Sequence, residues 1–302
     1  MGNQKILNGI KQYEKTPTNW GELYKAYNFF YEKKPQSKYK WIFRGENYSH
    51  NRPGNINKDF KSSLDKAFKR FDVAENRRKD IEKNLVREFQ RKAQLYSEGK
   101  SVDLLEALAL LRHYEGPARI LDWGYSFFVN VYFAVARAKP NDNLAVWAIN
   151  NDWLAERNKN FEIEIGKVDK AAEPCDKSSK SLEYLMENPK SFIYAVNPYH
   201  LNERLSIQQG VLLVQGDIKK SWGANLTGMI EKDEENKKSK YGTLLWKIDI
   251  KLKIEELRNV LKRLHHINIS QATLFPDLGG FAQSLTNRIA DTTSLGIEDT
   301  DR

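Results

Sequence analysis

Apolar residues recur along this chain at two spacings, and each spacing predicts its own kind of element. Leu23, Ala26, Tyr27 and Phe30 fall on one face of a helix from Gly21 to Glu32, after some fifteen polar, loosely held residues. Trp41, Ile42 and Phe43 are β-prone and predict a strand from Lys40 to Gly45, followed by a loop rich in Asn, Ser, Pro and Gly up to Gly54. Ile81, Leu85, Phe89 and Ala93 form the apolar stripe of an amphipathic helix from about Arg77 to Tyr96. A second helix follows, with Ser101 as its N-cap and Leu104, Leu105, Leu108 and Leu111 along it, until Gly116 and Pro117 stop it after His113. Between Tyr125 and Arg137 the apolar and aromatic residues are too dense for a surface element and predict a buried helix; Leu144 to Ile149 is the next strand.

The middle of the chain is less periodic. Residues 151–190 are charged, and an exposed loop is expected from Glu173 to Lys180. Strands are predicted at Phe192 to Val196, Val211 to Gln215 and Leu244 to Ile250, where Leu245, Lys247 and Asp249 alternate with Trp246, Ile248 and Ile250. The charge run from Glu231 to Lys240 is expected to be solvated and mobile. An amphipathic helix from Ile254 to Leu264, a further helical turn or two between Leu274 and Leu285, and a disordered acidic tail over residues 291–302 complete the reading. Helices before and among separated strands predict an α+β fold, since a doubly wound sheet needs strict alternation of strand and helix.

Composition narrows the class. Of 302 residues, 40% are apolar and 12% aromatic, enough for a substantial core and incompatible with disorder over most of the length. The longest nearly uncharged apolar run, Phe127 to Ala136, is about half the roughly 20 residues that a membrane-spanning helix needs. No signal peptide precedes Lys5, so a soluble cytoplasmic protein with no membrane partner is expected. The single cysteine, Cys175, allows no internal disulfide, and no Cys and His cluster has zinc spacing. The basic excess belongs to residues 1–100, which hold 23 Lys and Arg against 12 Asp and Glu. Such a field can steer nucleic acid, nucleotides or an acidic partner. In residues 72–96 its charges interleave with the apolar stripe and few aromatics stand among them for base stacking, which favours a solvated helix face over a nucleic-acid groove.

Three constellations can carry chemistry. The first is Phe43, Arg44, Gly45 and Glu46: a guanidinium offers phosphate or carboxylate a rigid donor fork, and glycine lets a ligand approach the backbone. Its alternative, favoured on these residues alone, is an arginine paired with a structural carboxylate. The second, from Arg112 to Trp123, packs ionisable side chains into a turn between two apolar helices, where polar groups must find partners. There Arg119 and Asp122 can instead hold the turn as a buried pair, with His113 capping the preceding helix and Asp122 serving as N-cap of the next. The third, from Arg204 to Gly210, sets Gln208 and Gln209 at the mouth of a strand, where an amide can orient a hydroxyl-bearing ligand; a turn that satisfies its own backbone is the alternative. Gly-rich phosphate loops, Gly-x-Ser-x-Gly elbows and His-Glu-x-x-His helices are absent.

At these places the sequence resembles the FRG domain, a prokaryotic family named for the Phe-Arg-Gly triplet, here Phe43, Arg44 and Gly45. The family's second block reads here as His113, Tyr114, Pro117, Arg119, Leu121, Asp122 and Trp123, then Tyr132, Phe133 and Ala134. Arg204, Leu205, Gln208 and Gly210 match a third block, and Leu274 to Leu278 a fourth. Arg112, Glu115, Ala118 and Gly124 depart from the pattern. The resemblance divides the chain into a helical lead-in over residues 1–39, an FRG-type domain over 40–290 and the tail.

A more distant likeness is to ADP-ribosyltransferases of the toxin type, which carry an early Arg-Gly, a strand-turn motif before an apolar helix, and a late loop with Glu or Gln entering a strand. It implies a split β core with helices packed around it, and NAD as substrate. Arg44 would clamp NAD, Asp122 and Trp123 would stand near those enzymes' Ser-Thr-Ser segment, and Gln208 or Gln209 would take the place of the late Glu. The implied catalytic set is Arg44, Asp122 and Gln209. Phe43, Arg44, Gly45, His113, Tyr114, Arg119, Trp123 and Gln208 are the implied cofactor-binding set, with no metal. The implied activity is transfer or hydrolysis of ADP-ribose, in a bacterial toxin or antiviral effector whose acceptor is a protein or nucleic acid. The alternative is a catalytically silent module that binds a ligand or nucleic acid in the same cleft.

Overall fold

The computed structural model describes residues 9–49, 56, 60–96, 102–166, 174–196, 206–235 and 240–290. The fold is α+β. Seven strands, β1 Ile10–Gln12, β2 Trp41–Asn47, β3 Ile120–Gly124, β4 Leu144–Asn150, β5 Ile193–Val196, β6 Gly210–Gln215 and β7 Leu245–Ile250, form one mixed sheet in the order β1-β7-β4-β2-β3-β6-β5. Among the described residues only the β1–β7 pair is parallel. The helices before β4 are α1 Trp20–Tyr31, α2 Ser63–Arg70, α3 Arg78–Ala93, α4 Leu104–His113 and α5 Phe127–Val135. Those after it are α6 Asn151–Ile165, α7 Pro174–Glu187, α8 Trp222–Glu235, α9 Ile254–His266, α10 Gln271–Leu274 and α11 Leu278–Arg288.

Alternation along β2 explains the two cores. Trp41 and Phe43 pack on one side of the sheet with Phe30 of α1, Phe127 of α5 and Val260 of α9. Ile42 faces the other side, with Trp123, Trp147, Trp222 and Leu213. Large aromatics dominate both layers, in edge-to-face pairs such as Phe30 with Phe43 and Phe60 with Trp222.

The sheet is continuous, yet its two halves barely join. β2 pairs with β4 from Trp41↔Asn150 to Asn47↔Leu144, and β3 pairs with β6 from Ile120↔Val214 to Gly124↔Gly210, whereas β2 and β3 meet only at Phe43↔Gly124.

Several expectations are corrected. The segment read as a turn around Asp122 is strand β3, and the N-cap of α5 is Ser126, whose hydroxyl accepts from the Val129 N–H. Asp103 caps α4 through the Glu106 N–H, and Ser101 lies outside the described residues. The loop expected from Glu173 to Lys180 is α7 from Pro174 on. Much of the charge run from Glu231 belongs to α8, where Asp233 is buried against Arg157 (3.2 Å) and accepts from the Trp153 indole. The loose N-terminal stretch contributes β1, paired with β7 from Ile10↔Leu245 to Gln12↔Lys247. Helix α2 was not foreseen; Ser62 and Asp65 form its reciprocal cap. The tail from Asp291 lies outside the described residues.

Candidate functional site

Where β2 and β3 part, a pocket of about 220 Å³ opens. Arg44 and Gly45 of β2, Asp122, Trp123 and Gly124 of β3, Asn130 and Phe133 of α5, and Arg112 of α4 line it, with Gln208, Gly210 and Phe275 closing it from later in the chain.

The Arg44 guanidinium bridges the parted strands. Its Nε donates to Glu46 Oε1 at 2.6 Å and its Nη1 to the Asp122 carbonyl oxygen at 2.6 Å. The latter carbonyl belongs to a strand edge that the neighbouring strand does not pair, so the arginine supplies a donor that the ladder lacks. The Asp122 carboxylate is held by Arg112, from Nε at 2.7 Å and Nη2 at 2.5 Å. Two arginines and the Asp122 carboxylate therefore ring the pocket, with Glu46 behind Arg44, and each guanidinium has donors to spare.

Polar groups complete the wall. Gln208 donates from Nε2 to the Leu274 carbonyl at 3.0 Å, tying the loop before β6 to the segment carrying Phe275. That segment is held to α5 by the Tyr132 hydroxyl, which donates to Gln271 Oε1 at 3.3 Å; burial pushes the Tyr132 phenol above its ordinary range. Asn130 Nδ2 is taken by the Ser126 carbonyl at 2.9 Å. Trp123 is 2% exposed and stacks with Trp222, centroids 6.0 Å apart, while its indole N–H has no hydrogen-bond partner.

Gly45 has a structural role. A Cβ built there would stand 1.9 Å from the Asn130 carbonyl oxygen and 2.8 Å from the Ala134 nitrogen, so the space that the bare Cα leaves is filled by the backbone of α5. Gly45 also lines the pocket, so its role there does not rest on open space at its Cβ position.

The structure brings Arg44, Gly45, Asp122, Trp123 and Gln208 together and separates the others. Phe43 points into the core between α1 and α5. His113 ends α4 and its ring meets Tyr114 edge to face at 4.8 Å; Tyr114 is largely exposed, and neither lines the pocket. Gln209 sits in a left-handed turn at φ 49°, exposed and outside the pocket lining. Arg119 does not pair with Asp122, because residues three apart on extended backbone face opposite ways. It pairs with Glu82 of α3 instead, through Nε at 2.6 Å and through Nη2, while its Nη1 donates to the Gln215 carbonyl at 3.3 Å. Arg112, Asn130, Phe133 and Phe275 were missed as site residues. Asn130 carried a signal: one amide in the middle of the apolar helix 127–135.

Among the described residues no group of His, Cys, Asp or Glu could hold a metal ion, and no helix is long and apolar enough to cross a membrane.

Residues 39–143 match the FRG domain family model. That stretch, from β2 through α5, supplies most of the pocket lining and is similar to the FRG family; the late blocks with Gln208 and Phe275 lie beyond it. No curated protein and no solved structure matches the chain.

Proposed function

We propose that the β2–β3 pocket takes NAD or a related nucleotide, on an ADP-ribosyltransferase-like scaffold, and that the protein transfers or hydrolyses its ADP-ribose. The observation that carries this reading is the convergence of Arg44, Arg112, Asp122 and Gln208 on one pocket at the parting of the sheet. Arg44 and Arg112 keep donors for a phosphate, and a guanidinium fork suits phosphate better than a point charge does. Gln208 suits a ribose hydroxyl, which its amide can meet as donor and acceptor. At about 220 Å³ the pocket is below the roughly 300–1,000 Å³ of sites that enclose a whole drug-sized ligand, so it seats a ribose with a phosphate and leaves the rest of the nucleotide outside.

In this reading the bond between ribose C1′ and nicotinamide nitrogen breaks, and nicotinamide leaves with the bonding pair. The developing oxocarbenium charge is met by the Asp122 carboxylate. Water or an acceptor adds at C1′ and loses a proton. A toxin or antiviral role in a bacterium is consistent with this chemistry. Two observations favour the second reading, a silent binding module on the same fold: Arg112 already occupies the Asp122 carboxylate, and Gln209 lies outside the pocket lining. Release of free nicotinamide from NAD by the wild-type protein, lost in Asp122→Asn, is the expected outcome. Binding without release, with and without candidate protein and nucleic-acid acceptors, supports the silent module.

A further inference from the structure

A second cavity, sharing no residue with the β2–β3 pocket, runs along the β1–β7 edge with a volume of about 1090 Å³. Its cations come from three places in the chain: Lys11 on β1, Lys34 and Lys38 before β2, and Lys240 before β7. Among the described residues Lys11, Lys34 and Lys38 have no carboxylate partner, whereas Lys240 pairs with Glu156 at 2.8 Å. Of the two acids that line the cavity, Asp233 is paired with Arg157, and Glu234, which accepts from the Gly9 N–H at 2.6 Å, keeps its charge, so four lysines stand against two carboxylates. The cavity therefore keeps a positive excess.

Rings alternate with these cations. The Lys38 ammonium lies 4.7 Å from the Tyr39 ring centroid, the Lys240 ammonium 5.2 Å from that of Tyr241, and the two tyrosine rings are 5.7 Å apart, inclined by 59°. Both tyrosines are partly exposed. Trp246 lies in the cavity wall, 8% exposed, with an indole N–H that has no partner. An acidic peptide would use the lysines and leave the rings idle. A duplex hides the faces of its bases. Ammonium groups set beside ring faces match the alternating phosphates and unstacked bases of a single strand.

We infer that this groove binds single-stranded nucleic acid, phosphates on Lys11, Lys34 and Lys38 and bases against Tyr39 and Tyr241. This is independent of what the β2–β3 pocket binds. Part of the basic excess of residues 1–100 then has a target, in a cavity where Tyr39 meets Tyr241 from late in the chain.

The test is fluorescence anisotropy of the full-length protein with a labelled oligothymidylate of about 12 nucleotides, within the range of single-strand site sizes. Wild type binds with an affinity that falls as salt rises. In Lys34→Glu/Lys38→Glu the affinity falls by roughly tenfold or more, and the slope of log affinity against log salt shrinks by about 1.4, two phosphate contacts at roughly 0.7 each. Tyr39→Leu weakens binding without changing the slope. Lys66→Glu/Lys69→Glu on exposed positions of α2 imposes the same charge change and leaves binding near wild type. Equal loss in the α2 variant, unchanged affinity in Lys34→Glu/Lys38→Glu, or equal competition by duplex or by inorganic tripolyphosphate overturns the inference.

Discussion

Two arginine–carboxylate pairs brace β3, and they differ in their access to water. Arg119 and Glu82 are 2% and 1% exposed; Arg112 and Asp122 are 28% and 39% exposed. The first pair locks α3 to the sheet between the core layers, with Gln215 and Asp65 extending the buried network. The second stands at the pocket mouth. Burial makes a charge pair costly to break because the surviving partner is left alone in low dielectric, while exposure makes a pair cheap to break and free to exchange partners. Thus only the second pair is placed to open for a ligand.

Glu82→Ala sets the upper end of that contrast. It strands Arg119 and lowers unfolding free energy by about 3–5 kcal/mol in urea titration. A loss under about 1 kcal/mol would mean that water reaches the pair and the contrast collapses. Gly45→Ala falls next, at roughly 1–3 kcal/mol, because the new methyl group meets the α5 backbone, which cannot swing aside as a side chain does. A neutral Gly45→Ala would place the helix farther from β2 than described. Asp122→Ala sits at the lower end, costing no more than about 1 kcal/mol, with lost turnover in the reading proposed above. Similar thermal shifts for Asp122→Ala and Glu82→Ala would erase the distinction.

Glu156 extends the exposed class. Hydrogen bonds from Lys240 first and Tyr241 second hold its carboxyl below the usual carboxylate range. A depressed folded-state value means that the contribution is present at neutral pH, above the unfolded value, and is lost as pH falls through the folded value. The stability gap between wild type and Glu156→Gln therefore closes in acid, below about pH 4.5, and stays constant from pH 6 to 8. A gap that widens in acid contradicts the assignment.

Much of this architecture was legible in the sequence. Helices α1, α5 and α9 announced themselves by apolar spacing or density, and strands β2, β4, β5, β6 and β7 by β-prone runs, because in each the buried face dominates the pattern. Strand β3 did not: it is five residues long, with Asp122 at its centre. In α8 the buried residues Trp222, Leu226, Met229, Ile230 and Asp233 keep helical spacing, but Gly223, Asn225 and Gly228 among them mimic a loop. Within the site, Arg44, Asp122, Trp123 and Gln208 were legible from motif blocks. The partner of Arg119 was not, because pairing with Glu82 depends on where α3 docks, a long-range fact that local spacing does not hold.

In the function proposed above, the parted strands hold a nucleotide through Arg44. Calorimetric titration of NAD into wild type and Arg44→Lys, with circular dichroism to confirm the fold, tests it most directly. Lysine keeps the charge and loses the fork that reaches both Glu46 and the Asp122 carbonyl, so the account predicts measurable NAD binding by wild type and a loss of roughly tenfold or more in a folded Arg44→Lys. No heat of binding in wild type, or equal affinity in the two proteins, contradicts it and leaves Arg44 as the staple between the two halves of the sheet.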